Sequence, residues 1–322
     1  MEYVDKYGFV SETKPKRSNL SFIKVNSRIE KWQKMLTQWE KYTTSKEKIL
    51  KNRCRKGIPD VIRGRAWYMM SNTQKVKDYY PKNMYEDIKT SNLRSANMND
   101  INKDLARTFP ENVYFRFQGG QEALLNVLRA YSLLDTEVGY CQGMAYLVGV
   151  LLMFMDEENA FYLFVNIMYN FDMRGYFLNG MEKTYLSLYI TNKLMKLYEP
   201  ALWEHFNDVG FVSQIYATQW YVTIFTYSFQ METILRIWDC YLYEGPKILY
   251  RMSLGFMRFS KNHLKNLGID LILRKVREIE ETIDVEQWFK VSFNISLSRK
   301  RIKEIEKEYI EGPDEEFIQW RA

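Results

Sequence analysis

Two short stretches hold the side chains best suited to chemistry. The first, Ile101-Asn-Lys-Asp104-Leu-Ala-Arg107-Thr108, sets a carboxylate one helical turn before a guanidinium. The second, Tyr140-Cys-Gln142-Gly143, presents a neutral amide beside a glycine. A fixed cation can neutralise charge on a transferring phosphoryl group, and an amide can orient the attacking water. Residues three apart share a helix face, so Asp104 can hold Arg107 before any reactant arrives. That removes part of the cost of ordering a long side chain. Thr108-Phe109-Pro110 is expected to end the helix, because a residue before proline is pushed out of helical geometry. Arg107 is thereby expected at an exposed helix end. Gln142 is expected beside Gly143 at the start of an apolar helix, where a partner backbone can come close. Plainer uses exist for both: a surface salt bridge with Asp104, and an amide that bridges or caps two helices.

The rest of the inventory narrows the chemistry. Only two histidines occur, His205 and His263, too few for most general-base or zinc designs. There is no GxxxxGK[ST], GxGxxG or GxSxG run, which argues against an NTPase, a kinase, a dinucleotide enzyme or a familiar hydrolase. Carboxylate pairs such as Glu280-Glu281 and Asp314-Glu315-Glu316 read as surface runs. Cys54, Cys141 and Cys240 are odd in number and lack metal-ligand spacing, so neither a disulfide framework nor a zinc site is indicated. Cys141 is expected to be a small buried filler. With no nucleotide pocket of its own, the chain is expected to lend its cation and amide to a partner.

Of the 322 residues 46% are hydrophobic, including 24 Tyr, 19 Phe and 8 Trp, enough for a large core. Only 15 Gly and 7 Pro punctuate them, which favours long helices over many strands and turns. The longest apolar run, Ala145 to Met155, stops at Asp156-Glu157-Glu158 and is too short to span a bilayer. No signal peptide is recognised. The expectation is a cytoplasmic protein, with peripheral endomembrane contact as an option. The net charge of +6 is uneven, because residues 1–56 carry 15 Lys and Arg against 6 Asp and Glu. Such an arm suits acidic lipid head groups or an acidic protein face, or is simply a solvated linker. No aromatic-basic interleaving points to nucleic acid.

Periodicity then supplies the elements. Residues 1–26 read as an irregular lead-in, and residues 27–56 as an amphipathic helix with a basic linker. Trp32, Met35, Trp39 and Tyr42 form the stripe of that helix. Gly57-Ile58-Pro59 breaks the chain, and Pro59 suits the first turn of a helix carrying Val61, Ile62, Ala66, Trp67 and Met70. Further helices are expected near 100–107, 120–135, 142–155, 157–171, 181–198, 212–227, 231–243 and 246–260. Two more close the chain, one on Ile269, Ile272, Val276, Ile279 and Ile283, the other on Ile302, Ile305 and Tyr309. Residues 311–322 read as an acidic tail. Clean two-residue alternation and fixed-period repeats are absent, so the expected class is all-α.

Several spaced motifs agree with one family. Gly57-Ile58-Pro59 with Arg63-Gly64 and Trp67 resembles the opening signature of the TBC domain, the catalytic module of most Rab GTPase-activating proteins. Ile101-x-x-Asp104-x-x-Arg107-Thr108 resembles the family's arginine-finger motif, and Tyr140-x-Gln142-Gly143 its glutamine-finger motif. Gln219-Trp220 through Phe225, then Arg236-Ile-Trp238-Asp239 and Glu244-Gly245, resemble its later blocks in the same order. The resemblance covers roughly residues 56–265, and the domain is expected over 57–310.

The resemblance implies a V-shaped all-helical fold and a dual-finger mechanism. Arg107 would enter the nucleotide site of a GTP-bound Rab, and Gln142 would position the hydrolytic water in place of the GTPase's own glutamine. GTP and Mg²⁺ would belong to that partner, so no cofactor or metal of the chain's own is expected. On this view the chain is an activator and not an enzyme with its own substrate pocket. Asp104, Thr108, Tyr140, Gly143 and Arg63 are the expected supporting residues. Arg63 either supports the finger or pairs with Asp104 or Asp239, and Tyr140 either aims the Gln142 loop or packs in the core. Trp67, Arg236, Trp238 and Asp239 read as scaffold. Phe229-Gln-Met-Glu232 departs from the family's pattern, where a proline-containing turn is expected. Asp5-Lys-Tyr7-Gly8-Phe9 resembles segments that precede the domain in some members. The alternatives are a catalytically silent Rab-binding adaptor and a basic membrane scaffold using residues 14–56.

Overall fold

The computed structural model describes residues 3–12, 22–313 and 317. The Lys14-Pro15-Lys16-Arg17 stretch and most of the acidic tail lie outside them. Among the described residues there are nineteen α-helices and one two-stranded hairpin. The chain divides into two compact units, residues 1–174 and 175–322.

The first unit begins with the hairpin, β1 (Tyr3–Val4) paired antiparallel with β2 (Val10–Ser11). Its turn closes on Asp5, whose Oδ1 accepts from the amides of Tyr7 (2.8 Å) and Phe9 (2.9 Å). Two-residue strands carry too little alternation to be read from sequence, so part of the irregular lead-in proves to be ordered sheet. Helix α1 (Phe22–Thr37) starts before the expected Ser27, and the apolar stripe continues across a break at Gln38 into α2 (Trp39–Thr44).

The basic linker is itself a helix, α3 (Glu47–Arg55), with Leu50 and Cys54 buried. Two cations of the arm are spent on backbone carbonyls. Arg28 Nη2 bonds the carbonyls of Lys56 and Gly57, and Arg53 Nη1 that of Lys31. Pro59 caps α4 (Asp60–Met70) from just outside the helix, in extended geometry. The helix buries Arg63, Gly64, Ala66 and Trp67, while Val61 is 76% exposed and faces out. Trp67 packs edge-on to Phe154 with ring centroids 5.4 Å apart. Gly64 is needed there, because a Cβ would sit 2.0 Å from the Phe154 carbonyl oxygen.

Three short helices follow, α5 (Thr73–Tyr79), α6 (Met84–Thr90) and α7 (Met98–Leu105), then one further turn, α8 (Val113–Phe117). The core of the unit is α9 (Gly120–Leu134), α10 (Met144–Leu152) and α11 (Glu157–Asn170). Helix α10 is apolar because it is covered on all sides, with Met144, Ala145 and Leu147 through Leu152 buried. Asp156 ends the apolar run and caps α11, accepting from the Asn159 amide at 3.0 Å.

The second unit contains α12 (Glu182–Tyr198), α13 (Pro200–Asp208), α14 (Ser213–Val222) and α15 (Met231–Glu244). It continues with α16 (Lys247–Leu264), α17 (Ile269–Thr282), α18 (Val285–Asn294) and α19 (Arg299–Glu311). Its centre is aromatic. Trp220 meets Phe256 at 5.0 Å, and Phe229 stacks on Trp288 at 5.0 Å. Phe229 is thus a core residue, and extended Gln230 starts α15 where a proline turn is expected. Trp238 donates Nε1 to Thr226 Oγ1 at 3.2 Å, and Asp239 is fully buried. Arg236 bonds Glu286 at 2.5 Å and lies over the Phe289 ring at 4.8 Å. Trp67, Trp238 and Arg236 make the contacts by which buried aromatics and a paired cation brace helices.

Candidate functional site

Arg107 does not sit on a helix. Helix α7 stops at Leu105, and Arg107 lies in the turn beyond it. The helix thus ends before the proline is reached, and Phe109, the residue ahead of Pro110, has φ +48°. The turn is held by Thr108, which is buried and donates Oγ1 to the Asp104 carbonyl at 2.7 Å. The Tyr146 hydroxyl reaches the Arg107 carbonyl at 3.4 Å. The backbone is fixed on both sides while the side chain projects outward.

The guanidinium meets Asp104 Oδ1 in an ion pair whose two ends differ in environment. The Arg107 side chain is 56% exposed and that of Asp104 only 5%. Asp104 Oδ2 accepts a hydrogen bond from the Tyr140 hydroxyl. Burial, then the bond to this carboxylate, pushes the Tyr140 phenol well above its ordinary range, so it stays a donor at any working pH.

Gln142 occupies the turn ahead of α10 and is exposed. Gly143 caps that helix with φ +105°, a conformation side chains rarely adopt, so the amide's neighbour has to be glycine. Cys141 is half-buried instead of fully enclosed, and burial raises its thiol. Asp100, Lys103, Asp104, Arg107, Tyr140 and Gln142 line one open cavity of ≈ 240 Å³.

Arg63 lies elsewhere. It is 4% exposed, pairs with Asp60, and donates to the Ile58 carbonyl. Asp60, one turn earlier on the same helix, is thus a carboxylate partner of Arg63. Burial opposes ionisation of Asp60, yet the charge of Arg63 brings its carboxyl below the usual range.

Other residues escaped the sequence reading. Asp100 and Lys103 share the face of α7 with Asp104 and pair at 2.9 Å, a spacing readable in advance. Asp135 shapes the loop that carries Gln142. Its carbonyl takes the Gly139 amide at 2.7 Å and its side chain takes Arg174 Nε at 2.7 Å. Burial works against that carboxylate, but bonds from Arg174 and Tyr131 hold it down at about 2. Nothing in the local sequence announces these partners.

The profile of the Rab-GTPase-TBC domain matches residues 60–265. The chain belongs to the RabGAP-TBC family. It is 33% identical over 299 residues to the human ecotropic viral integration site 5 protein homolog, covering 91% of this chain and 36% of that protein. It is 34% identical over 286 residues to the Rab GTPase-activating protein eat-17 of Caenorhabditis elegans, covering 87% of this chain and 31% of that one. The chain thus spans about a third of the length of these relatives. TBC1 domain family member whacked of Drosophila melanogaster is 31% identical over 308 residues, 94% of this chain and 84% of that protein.

Among solved structures, the Chlamydomonas flagellar RabGAP TBC domain superposes with a TM-score of 0.73 at 26% identity, over 91% of this chain and 99% of that one. The Ypt/Rab-GAP domain of Gyp1p shares the fold, with a TM-score of 0.68 at 16% identity over 88% of this chain and 99% of that one. Membership of RabGAP-TBC overturns one expectation. A domain that accelerates GTP hydrolysis is catalytic, so the chain cannot be set apart from enzymes because it lacks its own substrate pocket. Among the described residues no helix is long and apolar enough to cross a membrane.

Proposed function

We propose that this chain accelerates GTP hydrolysis by a Rab-type small GTPase in its GTP state, supplying Arg107 as a cation and Gln142 as a water-positioning amide. The observation that supports the reading best is that both side chains are exposed and line the same cavity. A silent adaptor would need one of them buried or turned away. Arg107 stabilises charge on the phosphoryl group in flight, an effect worth about 10³–10⁵ in rate, or roughly 4–7 kcal/mol. On this reading GTP and Mg²⁺ belong to the partner. Exposed Lys41, Lys48 and Lys56 in the N-terminal arm are available to acidic head groups beside that partner.

The test is phosphate release from a panel of GTP-loaded Rab proteins, with wild type and Arg107→Ala run side by side. Stimulation by wild type alone supports the reading and names the substrates. Binding without stimulation anywhere on the panel moves the assignment to an adaptor.

A further inference from the structure

The N-terminal hairpin is stitched to the segment that follows Arg107. Val10 N donates to the Glu111 carbonyl at 2.8 Å, and Val113 N to the Gly8 carbonyl at 2.8 Å. Asn112, fully buried, donates Nδ2 to the Tyr7 carbonyl at 2.8 Å while its Oδ1 caps α8. The fit at the turn is close, because Gly8 has φ +91° and a Cβ there would lie 3.3 Å from the Asn112 amide. Phe9 then packs edge-on to Phe109, with ring centroids 5.8 Å apart and planes at 81°.

Phe109 is the hinge of the Arg107 turn. Its backbone is left-handed, which an aromatic residue does not adopt unless its surroundings impose it. Three aromatic rings surround its own: Phe9 from the hairpin, Phe115 at 5.7 Å and Tyr146 at 5.5 Å. Beneath it Gly149 leaves room that a Cβ would fill, at 2.7 Å from the Phe109 ring. Two of the walls come from helices, Phe115 from α8 and Tyr146 from α10. The third comes from a hairpin that precedes the family match, which begins at residue 60.

We infer that the hairpin Tyr3–Ser11 is a positioning element for Arg107, with Phe9 as its contact residue. This rests on the reading of Arg107 as the catalytic cation. Phe9 holds the strained Phe109 backbone, and that backbone sets where Arg107 leaves the turn. A misplacement near 1 Å at a reacting group can cost about a hundredfold in rate, so loosening the wall acts on turnover more than on partner binding.

The experiment measures stimulated hydrolysis on a Rab substrate from the panel for wild type, Arg107→Ala, Phe9→Ala, Phe9→Tyr and Asp5→Ala, each in the full chain. Asp5→Ala opens the hairpin turn without touching the helical core, and so serves if Phe9→Ala folds poorly. Expected is a fall in kcat of about tenfold or more for Phe9→Ala and Asp5→Ala, with KM within about threefold of wild type. Phe9→Tyr restores kcat, since the ring face is kept. Unchanged kcat in both loosened variants, while Arg107→Ala is inactive, overturns the positioning role alone. A fall in kcat that only tracks a lower folded fraction by circular dichroism also overturns it. Stimulation that survives Arg107→Ala overturns both this inference and the reading beneath it.

Discussion

The Tyr140 hydroxyl donates to Asp104, the carboxylate that also meets the Arg107 guanidinium. One buried anion therefore ties the segment bearing the amide to the turn bearing the cation. The two groups expected to act together on a phosphoryl centre share a single anchor, and neither can shift far without the other.

Arg107→Ala is expected to lower stimulated GTP hydrolysis by more than a hundredfold while cooperative unfolding is retained. Gln142→Ala is expected to be milder, because it orients water and carries no charge. Single-turnover phosphate release with both variants gives the ranking; a Gln142→Ala loss equal to or above that of Arg107→Ala would reject it.

Tyr140→Phe removes one of the two groups bonded to a buried carboxylate. A hydrogen bond to a charged group contributes about 1.5–3 kcal/mol, so urea unfolding should show a loss of that order. Stimulated hydrolysis should fall too, by about tenfold, because Asp104 is then free to turn with Arg107. Full stability together with full activity would mean that the anchor is dispensable.

Gly64→Ala places a Cβ 2.0 Å from the Phe154 carbonyl oxygen, and backbone cannot give way as a side-chain tip can. A loss of about 1–3 kcal/mol or more is expected from such overpacking. Thermal melts of this variant against the solvent-facing Val61→Ala isolate the close approach from the general effect of substitution in α4. Equal melting temperatures would show that the helix simply moves away.

Glu280 gives a pH signature in the second unit. Burial raises its carboxyl to about 7, although it accepts Trp220 Nε1 at 2.7 Å. A carboxyl whose folded pKa lies above its unfolded value binds more protons when folded, so its stabilisation is present at low pH. That contribution is lost as pH rises from the ordinary carboxylate range through about 7. Glu280→Gln keeps an acceptor for Trp220 and cannot ionise. Its urea midpoint, compared with that of wild type at pH 5 and pH 8, should gain on wild type at the higher pH; a constant difference would refute the shift.

Long, strongly periodic elements were legible in advance. The stripe of Ile269, Ile272, Val276 and Ile279 is α17, with Ile283 just past its end, and the Asp156-Glu157-Glu158 stop is the start of α11. Short helices such as α5, α6, α8 and α13 escaped, since one or two turns hold too few apolar positions to set a period. Helix α18 escaped although Trp288 and Phe289 are buried in it, because only two core residues mark its face.

The sequence by itself determined the helical class, the family blocks, and the positions of Arg107 and Gln142, because these depend on residue type and local spacing. It also determined that Asp104 could reach Arg107, a matter of one helical turn. Only the tertiary structure decided that Tyr140 closes on Asp104 and that Phe9 walls in Phe109. It also decided that Arg107 leaves a strained turn instead of a helix end. Most of those contacts join residues far apart in the chain, and the strain at Phe109 follows from them. Which distant side chains meet is set by how the whole core packs, and no local pattern encodes it.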